Sequence, residues 1–155
     1  MVRVLLGWLA AVAVCIVVGA MALSFFDQQG WLAAAGGGAS LSISDRVAWF
    51  GHTLYGLIFI NGTGLGFGLY PVLVAVALFV GLGVAGIIVW FSPSLRFWWY
   101  AGAGAVALVA IFVALKLALG MMVVPGARSM AGVAAQGVAG LIAGAVFAMV
   151  SRKRA

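Results

Sequence analysis

The chain has 155 residues, of which 67% are hydrophobic and only 6% are charged. Soluble domains carry about 25% charged residues, so this composition excludes a domain that faces water on all sides and predicts an integral membrane protein. The formal net charge of +6 does not indicate a nucleic-acid partner, because the basic residues stand at the ends of apolar runs and not together on one face.

The first apolar run covers residues 4–26, and it follows Arg3 and precedes three polar residues, 27–29. A spanning helix needs about 20 apolar residues, so this run is long enough to cross a bilayer. Residues 20–22 also match the small-x-small pattern of a signal-peptide cleavage site. Because the apolar run continues beyond that site to Phe26, we expect a retained membrane anchor.

Residues 27–68 form a long connection that contains a helix too short to span. Ser42 and Asp45 offer a capping oxygen and a first-turn acid, and Asn61-Gly62 favours a helix stop. About 15 helical residues between these signals give a length of roughly 22 Å. We expect a lid helix at the membrane surface, or a half-span covered by neighbouring helices. A fifth span over residues 47–68 would leave almost no loop before the next apolar run.

Three further apolar runs follow at residues 69–91, 97–119 and 130–150. With four spans, the basic residues Arg3, Arg96 and 152–154 fall on one side, which the positive-inside rule assigns to the cytoplasm. The sequence therefore predicts one membrane domain over residues 1–155. It is an all-α, four-helix transmembrane bundle with both termini cytoplasmic and the connection 27–68 extracytoplasmic. We expect the protein in the cell membrane, specifically the inner membrane of a bacterium.

A candidate polar cluster lies on the extracytoplasmic side of this predicted bundle. Asp45, Trp49 and His52 share one stripe of the lid helix, at spacings of four and three residues. Lys116 stands near the end of the third span, where it can snorkel to the interface or pair with an acid beneath the lid. The full candidate set for ligand contact is Asp45, Arg46, Trp49, His52, Lys116 and Arg128.

Glycines recur inside the predicted spans. Gly81, Gly83 and Gly86 match a dinucleotide-binding pattern by letter, but they lie within a spanning helix with no preceding strand. We interpret them as helix-packing positions. Gly137, Gly140 and Gly144 form a second small-residue face, of the kind that lets helices approach closely. Such faces either pack the bundle internally or join it to a partner or a second copy.

The chain offers few groups for chemistry. It has one histidine, one cysteine and two acids, which is too few for a metal site or a catalytic set, so we predict neither a cofactor nor an enzyme. The only cysteine, Cys15, is predicted to be a small buried hydrophobe. We expect a non-catalytic subunit or assembly partner of a larger membrane complex, surrounded by the lipid bilayer. The alternatives are a transport or channel component acting as an oligomer, and a lipid- or quinone-binding membrane protein.

Overall fold

The computed structural model describes residues 2–36, 40–60, 68–119 and 129–151. These residues form five α-helices: α1 (Val2–Ala34), α2 (Ile43–Tyr55), α3 (Leu69–Phe91), α4 (Arg96–Leu119) and α5 (Met130–Val150). A π-helical turn, Gly56–Ile60, continues α2, and a 3₁₀ turn, Pro93–Leu95, precedes α4. Within the described residues, α1, α3, α4 and α5 are long and apolar enough to cross a membrane. The prediction of a helical, multi-pass membrane protein is confirmed to that extent.

Helix α1 is longer than the apolar run that predicted it, which corrects the start of the predicted loop. The helix continues beyond Phe26 to Ala34. Residues 27–34 contain no proline, and Gln28 among them is 4% exposed, so these polar positions extend the helix. The helix ends at Ala34, and Gly36 just beyond it has a φ of 81°, the left-handed conformation that glycine adopts freely. At 33 residues, α1 is about 50 Å long and exceeds a hydrocarbon core of about 30 Å.

Helix α2 begins at the predicted capping residues. Ser42 Oγ accepts a hydrogen bond from the Asp45 backbone N–H at 3.2 Å, and the Asp45 carboxylate accepts one from the Ser42 N–H at 3.1 Å. These two bonds form a capping box. With 13 residues, α2 is about 20 Å long and too short to cross a bilayer. The predicted stop at Asn61-Gly62 lies outside the described residues.

The four long helices form a ring in which α1 packs on α3, α3 on α4, α4 on α5 and α5 on α1. In the apolar segment of α5, 50% of the residues are buried, against 22–28% in the other three. Gly7 of α1 lies beside Phe147 and the backbone of Ser151, so α1 begins where α5 ends. We name this the Arg96 end of the bundle, since α4 also begins there, and the opposite end the α2 end.

Helices α4 and α5 approach each other backbone to backbone. Gly104 lies against the carbonyl group of Gly140, and Gly140 lies in turn against that of Gly104. One turn further along, Gly144 lies against the backbone carbonyl of Tyr100. A Cβ atom at any of these glycines would overlap backbone atoms, which cannot rotate away as a side chain can. Gly137 faces a side chain of α4. The small-residue face of α5 is therefore packed inside the bundle.

The three glycines predicted to pack α3 differ in what they contact. A Cβ at Gly81 would lie 2.6 Å from the Cβ of Ala107, so Gly81 allows α3 and α4 to pack closely. A Cβ at Gly86 would come no nearer than 3.7 Å to the Tyr100 hydroxyl, and one at Gly83 would meet nothing within 4 Å. Gly83 is exposed on the outer surface of the bundle.

Candidate functional site

The acid of the predicted polar cluster is engaged at its own helix terminus. The Ser42 hydroxyl donates to the Asp45 carboxylate at 2.6 Å, in addition to the bond from the Ser42 backbone. These hydrogen bonds, with the side-chain bond as the larger cause, hold the pKa of Asp45 below its ordinary value of 3.8. The Asp45 side chain is exposed, and the hydrogen bonds to its carboxylate both come from Ser42. These contacts therefore stabilise the start of α2.

Three side chains of α1 attach α2 to the bundle. Asp27 accepts a hydrogen bond from the indole N–H of Trp49 at 3.2 Å, and Trp31 packs edge-on against the Trp49 ring with centroids 5.9 Å apart. The Gln28 amide donates to the backbone carbonyl of Arg46 at 3.4 Å. Trp49 and Arg46, both predicted to contact a ligand, are thus used to hold α2 on the extended end of α1.

The two remaining described members of the cluster do not meet. His52 is exposed on α2, and Lys116 is exposed in the last turn of α4, where its ammonium can snorkel. Between Asp45, His52 and Lys116 the described ranges show neither a hydrogen bond nor an ion pair, and Arg128 lies outside them. The same ranges contain no group of three metal-ligating side chains close enough to hold an ion.

A polar contact that the sequence analysis missed lies in the interior, at Gln136 of α5. This side chain is fully buried. Its amide oxygen accepts a hydrogen bond from the Tyr70 hydroxyl of α3 at 3.0 Å, and its amide nitrogen donates to the backbone carbonyl of Gly19 in α1 at 3.0 Å. A Cβ at Gly19 would overlap the Tyr70 hydroxyl, so glycine is required there. One sequence signal could have found this contact: Gln136 and Tyr70 are polar residues in the first halves of two spans that run in the same direction.

The Gln136 contact joins three helices and is already satisfied. Interhelical hydrogen bonds in a bilayer contribute about 0.6–2 kcal/mol each. Because both the oxygen and the nitrogen of the amide have protein partners, the group serves to position α1, α3 and α5. Its geometry does not suggest a ligand.

The Arg96 end has its own polar contact. The Arg96 guanidinium donates to Ser151 Oγ at 2.7 Å and lies over the Tyr100 ring, 5.4 Å from its centroid. The Ser151 hydroxyl donates to the Phe147 backbone carbonyl at 2.6 Å. Arg96 thereby joins the start of α4 to the last turn of α5.

An open groove lies between α3 and α4, with a volume of about 890 Å³. Its lining is almost wholly apolar and includes a row of branched residues on α3, a row of mostly small residues on α4, and two tryptophans at the Arg96 end. These are Val76, Val80, Val84 and Ile88 on α3, Gly102, Val106, Ala110 and Ala114 on α4, and Trp98 and Trp99. Both rows repeat every four residues, which is the spacing of a ridge on a helix surface.

The groove exists because one of its two walls is made of small side chains. A Cβ at Gly102 would meet nothing within 4 Å, and Ala110 and Ala114 are likewise exposed. The α4 backbone can therefore be approached closely from outside the bundle, as glycine-mediated helix pairs require. With no charged lining residue, the groove suits an apolar helix or an acyl chain, and it offers no group for catalysis.

Comparison of the chain with protein families, curated proteins and solved structures gives no match.

Proposed function

We propose that the protein is a non-catalytic subunit of a larger membrane complex, and that the α3–α4 groove binds a spanning helix of its partner. The observation that carries this proposal is the groove itself. Lipid tails are as apolar as leucine, so exposed apolar surface in a bilayer does not by itself call for a partner. Small residues that expose a helix backbone favour close helix packing, and Gly102, Ala110 and Ala114 supply them here.

The shape of the groove supports a helix as the occupant. The row from Val76 to Ile88 on α3 and the row from Gly102 to Ala114 on α4 each cover 13 residues, about 18 Å of helix from the first Cα to the last. A ridge of a third helix fits between two such rows, as in ordinary helix packing. An acyl chain has no such ridge, although the apolar lining also accepts one, so lipid binding is the second candidate.

The polar contacts support a structural role over transport. A transport pathway usually exposes polar side chains inside the membrane. In the described spans, Gln136 and Tyr70 are bonded to each other and Arg96 to Ser151. The start of α1 and the end of α5 lie together at the Arg96 end, with Arg3 and Arg96. This supports a cell-membrane orientation with both termini in the cytoplasm.

The decisive experiment compares two substitutions that add the same side chain to α4 and α3. Gly102→Leu fills the groove, whereas Gly83→Leu adds a leucine at an exposed site outside it, and each added Cβ meets open space. Tagged variants are purified in mild detergent from the native membrane, and the co-purifying polypeptides are quantified by mass spectrometry. We expect Gly102→Leu to reduce the partner about tenfold, or about 1.4 kcal/mol, and Gly83→Leu to leave it unchanged.

Other outcomes separate the alternatives. If Gly102→Leu loses a bound lipid but keeps its co-purifying polypeptides, the lipid-binding candidate is favoured. A photo-crosslinking residue at Val106, in the groove, is compared with one at Val138, which is exposed on α5. Crosslinks from position 106 to a second copy of the chain identify a homo-oligomer. Equal partner recovery in both leucine variants contradicts the groove as the docking site.

A further inference from the structure

The exposed surface of α2 and its π-helical turn is divided into two flanks. The apolar flank repeats every four residues along the helix and consists of Val47, Gly51, Tyr55 and Phe59. Its three large side chains are 53–63% exposed, and the rings of Tyr55 and Phe59 lie against each other at 5.1 Å. The polar flank carries the ionisable residues Asp45 and His52, with the small Ala48 between them, and all three are exposed.

The inner surface of this segment is already occupied, which fixes its rotation. Phe50 and Leu54 pack against the core of the bundle, and Leu57, in the turn after α2, is 4% exposed within it. The hydrogen bond from Trp49 of α2 to Asp27 of α1 holds α2 in this same rotation. The apolar flank therefore cannot turn inward without breaking these contacts.

The end of this segment is joined to the start of a spanning helix. The Gly68 N–H donates to the Ile58 carbonyl at 2.5 Å, and Gly68 is the N-cap of α3. Gly68 also lies against the Leu57 carbonyl, where a Cβ would overlap it. In the first three turns of α3, Val72 and Phe79, which lie outside the groove, are 41% and 69% exposed. The segment that carries the apolar flank thus ends beside the start of α3, whose outer surface is apolar.

We propose that α2 is an interfacial helix that inserts its apolar flank into the lipid leaflet at the α2 end, with Asp45 and His52 turned toward water. Continuity with the outer surface of α3 favours lipid as the occupant of this flank. An amphipathic helix binds in the interface in proportion to its buried apolar area. The aromatic residues Trp31, Trp49 and Tyr55 at this end are typical of the membrane–water boundary. The proposal is independent of the partner groove between α3 and α4.

Spin labels on neighbouring residues test the orientation of α2. Single cysteines replace Gly51 on the apolar flank or His52 on the polar flank, in a Cys15→Ala background, and the labelled proteins are reconstituted in nanodiscs of phosphatidylcholine and phosphatidylglycerol. Collision with oxygen reports lipid contact, and collision with a water-soluble nickel chelate reports water contact. We expect the oxygen-to-nickel ratio to be several-fold higher for Gly51→Cys than for His52→Cys.

A second pair of labels, Val47→Cys and Ala48→Cys, repeats the comparison if Gly51→Cys does not fold. Equal ratios on the two flanks overturn the proposal, because they place both in the same medium. Low collision with both probes at Gly51 and Val47 also overturns it, because that result shows the flank covered by protein.

Discussion

Helices α5 and α2 are held in the protein by opposite means. Helix α5 carries no charged residue, and its glycines lie against the backbone of α4. Helix α2 has no buried residue within Ile43–Tyr55, and α1 attaches it through the Trp49–Asp27 and Gln28–Arg46 hydrogen bonds. Within a bilayer, close packing of small residues brings helices together. In α2, a capping box and a few side-chain bonds position a short helix.

The difference has a consequence for how each helix tolerates change. An interface made of backbone contacts has no side chain that can rotate away, so added volume must move a whole helix. Helix α2 is held by two part-buried hydrogen bonds and by the packing of Phe50 and Leu54, and such separate contacts are lost one at a time, each at a small cost. Substitutions in α5 should therefore act on the whole bundle, and conditions that weaken α2 should act on α2 alone.

The largest effect is expected for Gly140→Leu. Its Cβ would overlap the Gly104 carbonyl, and overpacking of a close interface costs about 1–3 kcal/mol or more. We expect a loss of stability at the upper end of that range, measured by thermal unfolding in detergent. Gly83→Leu on α3 is the matched control, because its added Cβ meets open space and lies outside the groove. If both variants unfold at the same temperature, backbone packing is not what holds α5.

A smaller effect is expected at the buried amide. Tyr70→Phe removes the hydroxyl that donates to Gln136, and Gln136→Leu removes that bond together with the bond to Gly19. Each hydrogen bond contributes about 0.6–2 kcal/mol in a bilayer, so we expect Gln136→Leu to cost more. Unfolding of the two single variants and the double variant gives their coupling energy. A coupling of zero would mean that this contact does not join α3 to α5.

The smallest effect concerns the pH dependence of α2. Because the pKa of Asp45 is lowered by its bonds from Ser42, its contribution to the helix start is present above the ordinary value of 3.8 and is lost as the pH falls through the lower, folded pKa. We expect amide exchange in α2 to quicken in that acidic range while α5, which has no ionisable side chain, is unchanged. Ser42→Ala should raise the pKa of Asp45, observed by carboxyl chemical shift. An unchanged midpoint would show that the capping box does not act on Asp45.

Part of the fold follows from local pattern. The apolar runs at residues 69–91 and 130–150 coincide with α3 and α5, because hydropathy over about 20 residues reports a span directly. The start of α2 was readable from Ser42 and Asp45, since a capping box involves neighbouring residues. The end of α1 was not readable, because Asp27 and Gln28 resemble a loop until α2 is seen to bond to them.

The candidate site was less predictable. The cluster around Asp45 is a prediction from positions on one helix wheel. Its described members do not form one site: Asp45 bonds at its own helix terminus, and His52 and Lys116 are exposed and do not meet. The groove was not foreseen, because small residues occur on several sides of α3 and α4. Gly81 and Gly83 are two residues apart, yet Gly81 contacts α4 and Gly83 faces outward.

The sequence by itself determined that the chain has four helices long and apolar enough to cross a membrane, and it marked where α2 begins, since hydropathy and capping act over neighbouring residues. Tertiary structure decided which glycines meet a backbone, that Gln136 meets Tyr70 and Gly19, and that a groove stays open between α3 and α4. Those contacts depend on the rotation of each helix about its axis. Spans that are apolar all round give the sequence little periodic signal from which to choose that rotation.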